Sequence, residues 1–534
     1  MKYQPRPTRL RVLQILLVLP MLLAGLLAAC SSAQEPADRY DYGRADRAKL
    51  PQMTLLNHQK IMGDLLGTPA IPVKTVGILV YDGADTMETI APMVVFSELM
   101  DVKLEYVGLH AGTVATSLVE MEVEHSIRDI DQLDVLVVPG GSRAGLEAAL
   151  RDDALMPWLK RIDAGTSLTA GVGYGSVILS RAGLLQNKRI AFDWPDAEAD
   201  AKALGSVYDP ARYAHDGKYW TSTRSSAAID MSLAMLQAIA GPRHTQAAML
   251  DLEYDPAPPF EGGTPATTPA ALLEAQSPRS YRLGELSLVD LPTPMTASSA
   301  EKTFEIGILV YEDFFTMDAI GPLTMLSQLP NARVRLIRFG GDNVLKSGRT
   351  QVRVPIAAAD VDTLDALLIP GGSTGTWQMT QDPQALAWIR RIDTHSRYTG
   401  SVCSGAWILG ATGLLQGRKA TTNWYRARQM MDLYGANFTP ARYVSDGKYW
   451  TSAGVSAGID LSVAMIADIA NETAARTAML QTNYHPQPPI PGGSPEKTDD
   501  LVLDMMHQMY DYVMLSSIKE ERERRSKQPA KGKS

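Results

Sequence analysis

The sequence predicts an α/β protein built twice over, each half an open fold with a largely parallel sheet. The first observation is a repeat. Val76-Gly77-Ile78-Leu79-Val80-Tyr81 returns as Ile306-Gly307-Ile308-Leu309-Val310-Tyr311, Asp216 to Ser222 returns as Asp446 to Ser452, and Pro258 to Gly263 returns as Pro488 to Gly493. The offset is 230 each time (306−76, 446−216, 488−258). One offset kept over so long a span means tandem duplication. The second observation is that in each half short apolar, β-prone runs alternate with helical periodicity, the pattern of parallel strands joined by helices. The third is residues 400 to 412, where Arg397 to Val402 reads as a strand, small residues surround Cys403, and an apolar run follows at helical spacing.

In chain order, Lys2, Arg6, Arg9 and Arg11 precede an uncharged run over 12 to 29 that ends Leu27-Ala28-Ala29-Cys30. This reads as an export signal over 1–30. It resembles a bacterial lipobox, which implies cleavage before Cys30, lipidation of its thiol and tethering to a membrane outside the cytoplasm; Ser31 fits sorting to an outer membrane in a Gram-negative source. A plain signal anchor is the alternative. Residues 31–72 are polar and read as a tether with one short helix. Two domains follow, at 73–265 and 303–495, joined by a linker over 266–302 rich in Pro, Thr, Ala and Ser. Residues 496–534 predict an amphipathic helix to about Ile518, then a charged, disordered tail. The net charge of −8 argues against a nucleic-acid partner.

In the second half, strands are predicted near 304 to 311, 333 to 339, 365 to 370, 397 to 402 and 447 to 452. In such folds sites lie beyond the carboxyl ends of the strands. Three segments fall there. Cys403 ends a strand at a turn, where a helix N-terminus favours the thiolate and lowers its pKa, and Ser404, Gly405 and Ala406 leave room for a substrate. Asp318 follows the first strand. Pro370-Gly371-Gly372-Ser373 presents glycines that let backbone amides approach a ligand. A thiol, a carboxyl and exposed amides are the parts of a nucleophilic addition to a polarised carbon. Singly each has a plainer reading: Cys403 as a small buried apolar residue, Asp318 as an N-cap, Gly371-Gly372 as a turn. The chain holds two cysteines. With Cys30 lipidated, Cys403 has no partner, which suggests a retained reactive thiol.

Ile-Pro-Gly-Gly at 369 to 372, Ser-Val-Cys-Ser-Gly-Ala at 401 to 406, Gly-Leu-Leu-Gln-Gly-Arg at 413 to 418 and Thr451-Ser452 leading into Ala457-Gly458-Ile459-Asp460-Leu461 resemble the ThiJ/PfpI superfamily. With Asp318 before Gly321-Pro322, the second half is most similar to its isonitrile hydratase branch. The resemblance implies two flavodoxin-like three-layer sandwiches. It also implies Cys403 as nucleophile, Asp318 as its proton partner, and amides near Gly371, Gly372 and Ser404 holding negative charge. The substrate would be a small molecule, with no metal or organic cofactor. Asn423 stands in Thr421-Thr422-Asn423-Trp424 where relatives often carry His, and Ser404 where some hydrolases of the superfamily carry His. A Cys-His dyad therefore lacks its base. His395 and His485 read as solvated.

Subtracting 230 from 403 gives Gly173, so the first half has no thiol on its elbow. Glu88 stands opposite Asp318, and Gly140 and Gly141 opposite Gly371 and Gly372. The first half reads as a degenerate site that binds a ligand or only supplies the pairing surface that a second subunit supplies in dimeric relatives, making the halves a pseudo-dimer. Ser176 or Tyr174 as a substitute nucleophile lacks an evident base. Three functions stay open: a cysteine-dependent hydratase or hydrolase, glyoxalase-like or deglycase-like chemistry on reactive carbonyls, and a non-enzymatic ligand-binding or sensor lipoprotein.

Overall fold

The computed structural model describes residues 54, 57–193, 196–276 and 303–527. The export signal with Cys30, most of the tether, the linker beyond Gln276 and residues 528–534 lie outside them. Among the described residues no helix is long and apolar enough to cross a membrane.

Each half folds around one sheet. In the first, seven strands run in the order Tyr213–Asp216, Tyr219–Ser222, Leu168–Val172, Val135–Val138, Thr75–Val80, Lys103–Gly108, His125–Ser126. In the second, six follow the same order: Tyr443–Asp446, Tyr449–Ser452, Tyr398–Val402, Ala366–Ile369, Phe304–Val310, Ala332–Arg338. All neighbours are parallel except the first pair of each. The central strands are apolar without alternation, as strands covered on both faces must be: Val135 to Val138 and Ala366 to Ile369 are buried throughout. Helices Thr86–Phe96 and Ala227–Ala240 pack together on the first sheet, as Thr316–Leu326 and Val455–Ile469 do on the second. Thr86–Phe96 also meets Thr316–Leu326, which joins the core on that face of the first sheet to the core of the second half, while the first sheet's other face keeps a core of its own.

The strands expected in the second half are found, with others beside them. The segment at 447 to 452 holds the second arm of a hairpin, Tyr449–Ser452, whose two-residue turn is Gly447-Lys448, with Gly447 at φ +64, a Gly-x turn signal that the apolar pattern hides. The hairpins Gly112–Ala115/Glu120–Val123 and Val344–Ser347/Thr350–Arg353 were not expected. They join edge to edge, Val352 opposite Met121 and Arg353 opposite Glu120, in a four-stranded sheet shared by the halves. Val114, Met121, Leu345 and Val352 point inward and are fully buried, while Arg353 Nε donates to Glu122 at 3.0 Å on the outer side. Among the described residues the tether holds the helix His58–Leu66, which packs on the C-terminal helix. That helix runs Asp500–Ser526, past Lys519 where a disordered tail was expected. Glu521, buried, pairs with Arg524 and Arg525 one turn on, and Arg525 lies 4.3 Å over the Tyr434 ring.

Each half sends its tail across the other. Asp230, fully buried on helix Ala227–Ala240, pairs with Arg212 and accepts Tyr254 Oη at 2.8 Å and the Gln487 amide at 3.0 Å. Arg212 donates across the boundary to the carbonyl and Oδ1 of Asn483 at 2.8 and 2.9 Å. The same pattern recurs 230 residues on, where Asp460 takes Arg442 at 2.7 Å, Tyr484 at 2.7 Å and the Ala257 amide at 3.0 Å.

A buried carboxylate stripped of its cation is costly. Arg212→Met is therefore expected to lower unfolding stability by about 3–5 kcal/mol, seen as a shifted urea midpoint. Loss under 1 kcal/mol would mean that water reaches Asp230.

Candidate active site

Strand Tyr398–Val402 delivers Cys403 to the carboxyl edge of the second sheet, and helix Gly405–Ala411 leaves it. Cys403 has φ +58, a left-handed conformation rare for a residue with a side chain. Its N–H donates to the carbonyls of Ser452 at 3.1 Å and Ala453 at 2.6 Å, while Thr422 Oγ1 donates to its carbonyl at 2.9 Å. Gly405 and Ala406 do not leave room for a substrate as expected. A Cβ on Gly405 would stand 2.1 Å from the Ile369 carbonyl, and Ala406 is fully buried: both serve the packing of elbow on sheet.

Asp318 lies in the first turn of helix Thr316–Leu326, whose N-cap is Phe315, so the capping alternative falls. Its Oδ2 accepts the Gly371 N–H at 3.1 Å, Oδ1 is buried with no partner among the described residues, and the carboxyl lies near enough to the Cys403 thiol for each to shift the other's titration. Burial pushes Asp318 well above the carboxylate range, against the pull of the Gly371 N–H and the thiol. Burial thus favours the protonated carboxyl over the carboxylate. The expected lowering of the thiol pKa is overturned. Burial, then the carboxyls of Asp318 and Glu253, push Cys403 up, and the Ser404 N–H only partly offsets them. A helix of seven residues offers a small dipole against these. Burial favours the neutral form of both groups, a thiol beside a carboxylic acid, and two such neighbours titrate together.

The three amides expected to hold negative charge are differently engaged. Gly371 N–H is committed to Asp318, and a Cβ there would stand 2.9 Å from Oδ2, so the glycine exists to let the carboxyl in. Gly372 N–H donates to Ser404 Oγ at 3.1 Å. The Ser404 N–H is the amide that faces the sulfur. Asn423 is buried and lines the same cavity as Cys403; uncharged at any pH, it supplies no base. His395 is exposed, and neither it nor His485 lines the cavity.

That cavity, about 580 Å³, is composite. Phe314, Ser404, Trp407 and Asn423 come from the second half. Met93, Val94 and Asp251 come from the first, and Met509, Tyr510, Val513 and Met514 from the C-terminal helix. Tyr510 donates to Asp251 and so ties that helix to the first half beside the thiol. Sequence reasoning missed these walls and Glu253 as well. The one signal available was the mismatch of Glu253 against Asn483 inside the otherwise repeated Met-Leu-x-x-x-Tyr of 249 to 254 and 479 to 484.

The first half keeps the elbow without the thiol. Gly173 has φ +50, and a Cβ there would meet Glu88 Oε1 at 2.9 Å. Glu88, one methylene longer than Asp318, reaches into the space a thiol needs: Oε2 accepts the Gly140 N–H at 2.7 Å and Oε1 the Ser225 N–H at 2.8 Å. Desolvation raises its pKa to about 8. Gly141 is pressed against the Gly83 carbonyl, 2.4 Å from where a Cβ would be. Ser176 Oγ donates to the Gly171 carbonyl at 3.2 Å and is fully buried, which gives it no path to a substrate.

With this geometry in hand, the chain was compared with known proteins. A family model described as DJ-1/PfpI matches residues 74–238 and 305–468. Isonitrile hydratase of Pseudomonas putida is 34% identical over 200 residues, covering 38% of this chain and 87% of that protein. Protein DJ-1 homolog A of Arabidopsis thaliana is 23% identical over 401 residues, 74% of this chain and 94% of that protein. Among solved structures, a ThiJ/PfpI family protein from Pseudomonas syringae is 33% identical, with TM-score 0.39, over 41% of this chain and 90% of that one.

The clash at Gly173 makes a prediction. In protein beginning after Cys30 and carrying Cys403→Ser, Gly173→Cys alone is expected to give a thiol that resists a disulfide reagent. Adding Glu88→Asp should open room and raise its labelling rate at least tenfold. Equal rates in the two backgrounds would show that Glu88 does not fill the first-half elbow.

Proposed function

The chain belongs to the DJ-1/PfpI family, and from that premise we propose that its second half hydrates isonitriles to N-substituted formamides. The observation that carries the reading is the Cys403 thiol beside the Asp318 carboxyl, both held toward their neutral forms by burial, at the wall of a largely apolar cavity. The likeness to a named isonitrile hydratase supports it.

The terminal carbon of an isonitrile carries a lone pair and accepts both a proton and a nucleophile. Asp318 gives its proton to that carbon as Sγ bonds to it, and the thiol proton returns to Asp318. The net step breaks S–H and forms C–H and C–S bonds, leaving a thioimidate on Cys403. Water then adds across the C=N bond. The adduct collapses with rupture of C–S and return of a proton to sulfur, releasing the formamide. One water is consumed and nothing is oxidised or reduced. A protonated acid beside the thiol is the state this addition requires, since an ionised Asp318 would repel the thiolate and have no proton to give. The apolar walls formed by Met93, Val94, Met509, Val513 and Met514 suit an apolar N-substituent.

Two further readings belong to this proposal. The basic run, uncharged run and Leu-Ala-Ala-Cys ending support export and tethering through a lipidated Cys30. The shared four-stranded sheet and the crossed tails support a pseudo-dimer made within one chain.

In protein beginning after Cys30, cyclohexyl or phenyl isonitrile is expected to yield formamide, followed by chromatography, with turnover abolished by Cys403→Ser. Asp318→Asn, which keeps the shape and removes the acid, should cost about 10²–10⁴ in kcat. Because the folded pKa of Asp318 is raised, activity should be present at neutral pH and be lost as pH climbs through that pKa. Formamide production that survives Cys403→Ser would sink the assignment.

A further inference from the structure

We propose that Glu253, supplied by the thiol-less first half, is a positioning residue for Cys403, clamping together the two segments that hold the nucleophile's backbone. This rests on Cys403 being the nucleophile of the proposed reaction. Glu253 follows helix Pro242–Asp251 and crosses into the second half. One carboxylate oxygen accepts the Trp424 N–H and the other the Gly454 N–H, the latter at 2.8 Å. Those two amides adjoin the groups that fix Cys403. Thr422, two residues before Trp424, donates to the Cys403 carbonyl, and Ser452 and Ala453, just before Gly454, accept its N–H. The clamp and the elbow therefore share both segments.

Three details show a built arrangement. Glu253 is buried, at φ +43, a left-handed conformation that a glutamate adopts only when its surroundings compel it. Its carbonyl also accepts Ser456 Oγ, so backbone and side chain are both held by the second half. Gly454 is a glycine where the first half has Arg224, and a Cβ there would stand 2.7 Å from Glu253 Cβ. The pseudo-symmetric Asn483 keeps the conformation, φ +48, but spends Oδ1 on Arg212 and Thr223, and among the described residues it touches no elbow amide. The clamp therefore exists on the side that carries the thiol.

Glu253 also bears on the protonation of the site, with a pKa raised to about 7 by burial. The charged and titratable groups facing it are Arg442, Glu496, Asp318 and Cys403. Arg442 is itself held by Asp460 at 2.7 Å. As a like charge near the thiolate, ionised Glu253 pushes the thiol upward, so its removal moves the thiol's titration to lower pH.

The test uses protein beginning after Cys30, as wild type, Glu253→Gln, Glu253→Asp and, as control at the symmetric position, Asn483→Ala. The rate of Cys403 alkylation by iodoacetamide is measured against pH, with kcat, KM and melting temperature alongside. Glu253→Gln is expected to move the alkylation midpoint down by at least half a pH unit and to lower kcat at least tenfold with KM within twofold. Glu253→Asp keeps the charge but spans one amide only; it should lower kcat and leave the midpoint in place. Asn483→Ala should change neither. An alkylation profile and kcat unchanged in Glu253→Gln, with only the melting temperature lowered, would overturn the proposal. Should the wild type turn over no isonitrile, the hydratase reading fails by itself, and the alkylation profile alone decides Glu253.

Discussion

The left-handed backbone of Cys403 is the constraint on which this structure turns. A side-chain-bearing residue at φ +58 costs on the order of 1–3 kcal/mol and persists only where neighbours over-determine it. Here they do. The strand behind it is buried and pinned between Ala366–Ile369 and Tyr449–Ser452. The N–H is shared by two carbonyls and the carbonyl is held by Thr422. Gly405 lets the following helix press against the sheet. What this rigidity achieves is aim: the sulfur faces the cavity beside the acid of Asp318, with the Ser404 N–H at its back.

Burial decides the chemistry of that pair more than the helix does. Removing a carboxyl from water raises its pKa whatever else surrounds it, and Asp318 and Glu88 both show the effect in equivalent places. In the first half the raised carboxyl has both oxygens bound to backbone amides and nothing to protonate. In the second, one oxygen is so bound and the other side of the group meets a thiol. One methylene and one sulfur separate the two arrangements.

How much of this was legible depended on whether the governing contact was local. The parallel strands were, because a doubly covered strand such as Ala366–Ile369 is apolar at every position. The elbow was, because strand, small residues and helix are adjacent in sequence. So was the lost thiol at Gly173, which follows from subtraction. The sign of the thiol pKa was not, since it is set first by burial and then by Asp318 and Glu253, remote in sequence and brought close by folding. The commitment of Gly371 was not either, for a Gly-Gly turn looks the same whether it greets a ligand or a buried carboxyl. The hairpins at 112 to 123 and 344 to 353 are short and mostly polar, and their meaning lies in their pairing across the halves.

Duplication inside one chain lets two equivalent surfaces diverge, which a symmetric dimer of identical subunits cannot do. The divergence here is coordinated across the boundary. Where the second half has Cys403, Asp318 and Gly454, the first has Gly173, Glu88 and Arg224. Where the first half's tail sends Glu253 to the thiol side, the second half's tail sends Asn483 to the Arg212–Asp230 pair. Each exchange makes sense only with its counterpart: Glu253 needs Gly454 for room, and Glu88 needs Gly173. A half kept only as a folding scaffold would show no such matching at the far site. The cavity points the same way, since Met93, Val94 and Asp251 form its wall and the C-terminal helix closes against them. The half without the thiol forms part of the chamber in which the thiol sits.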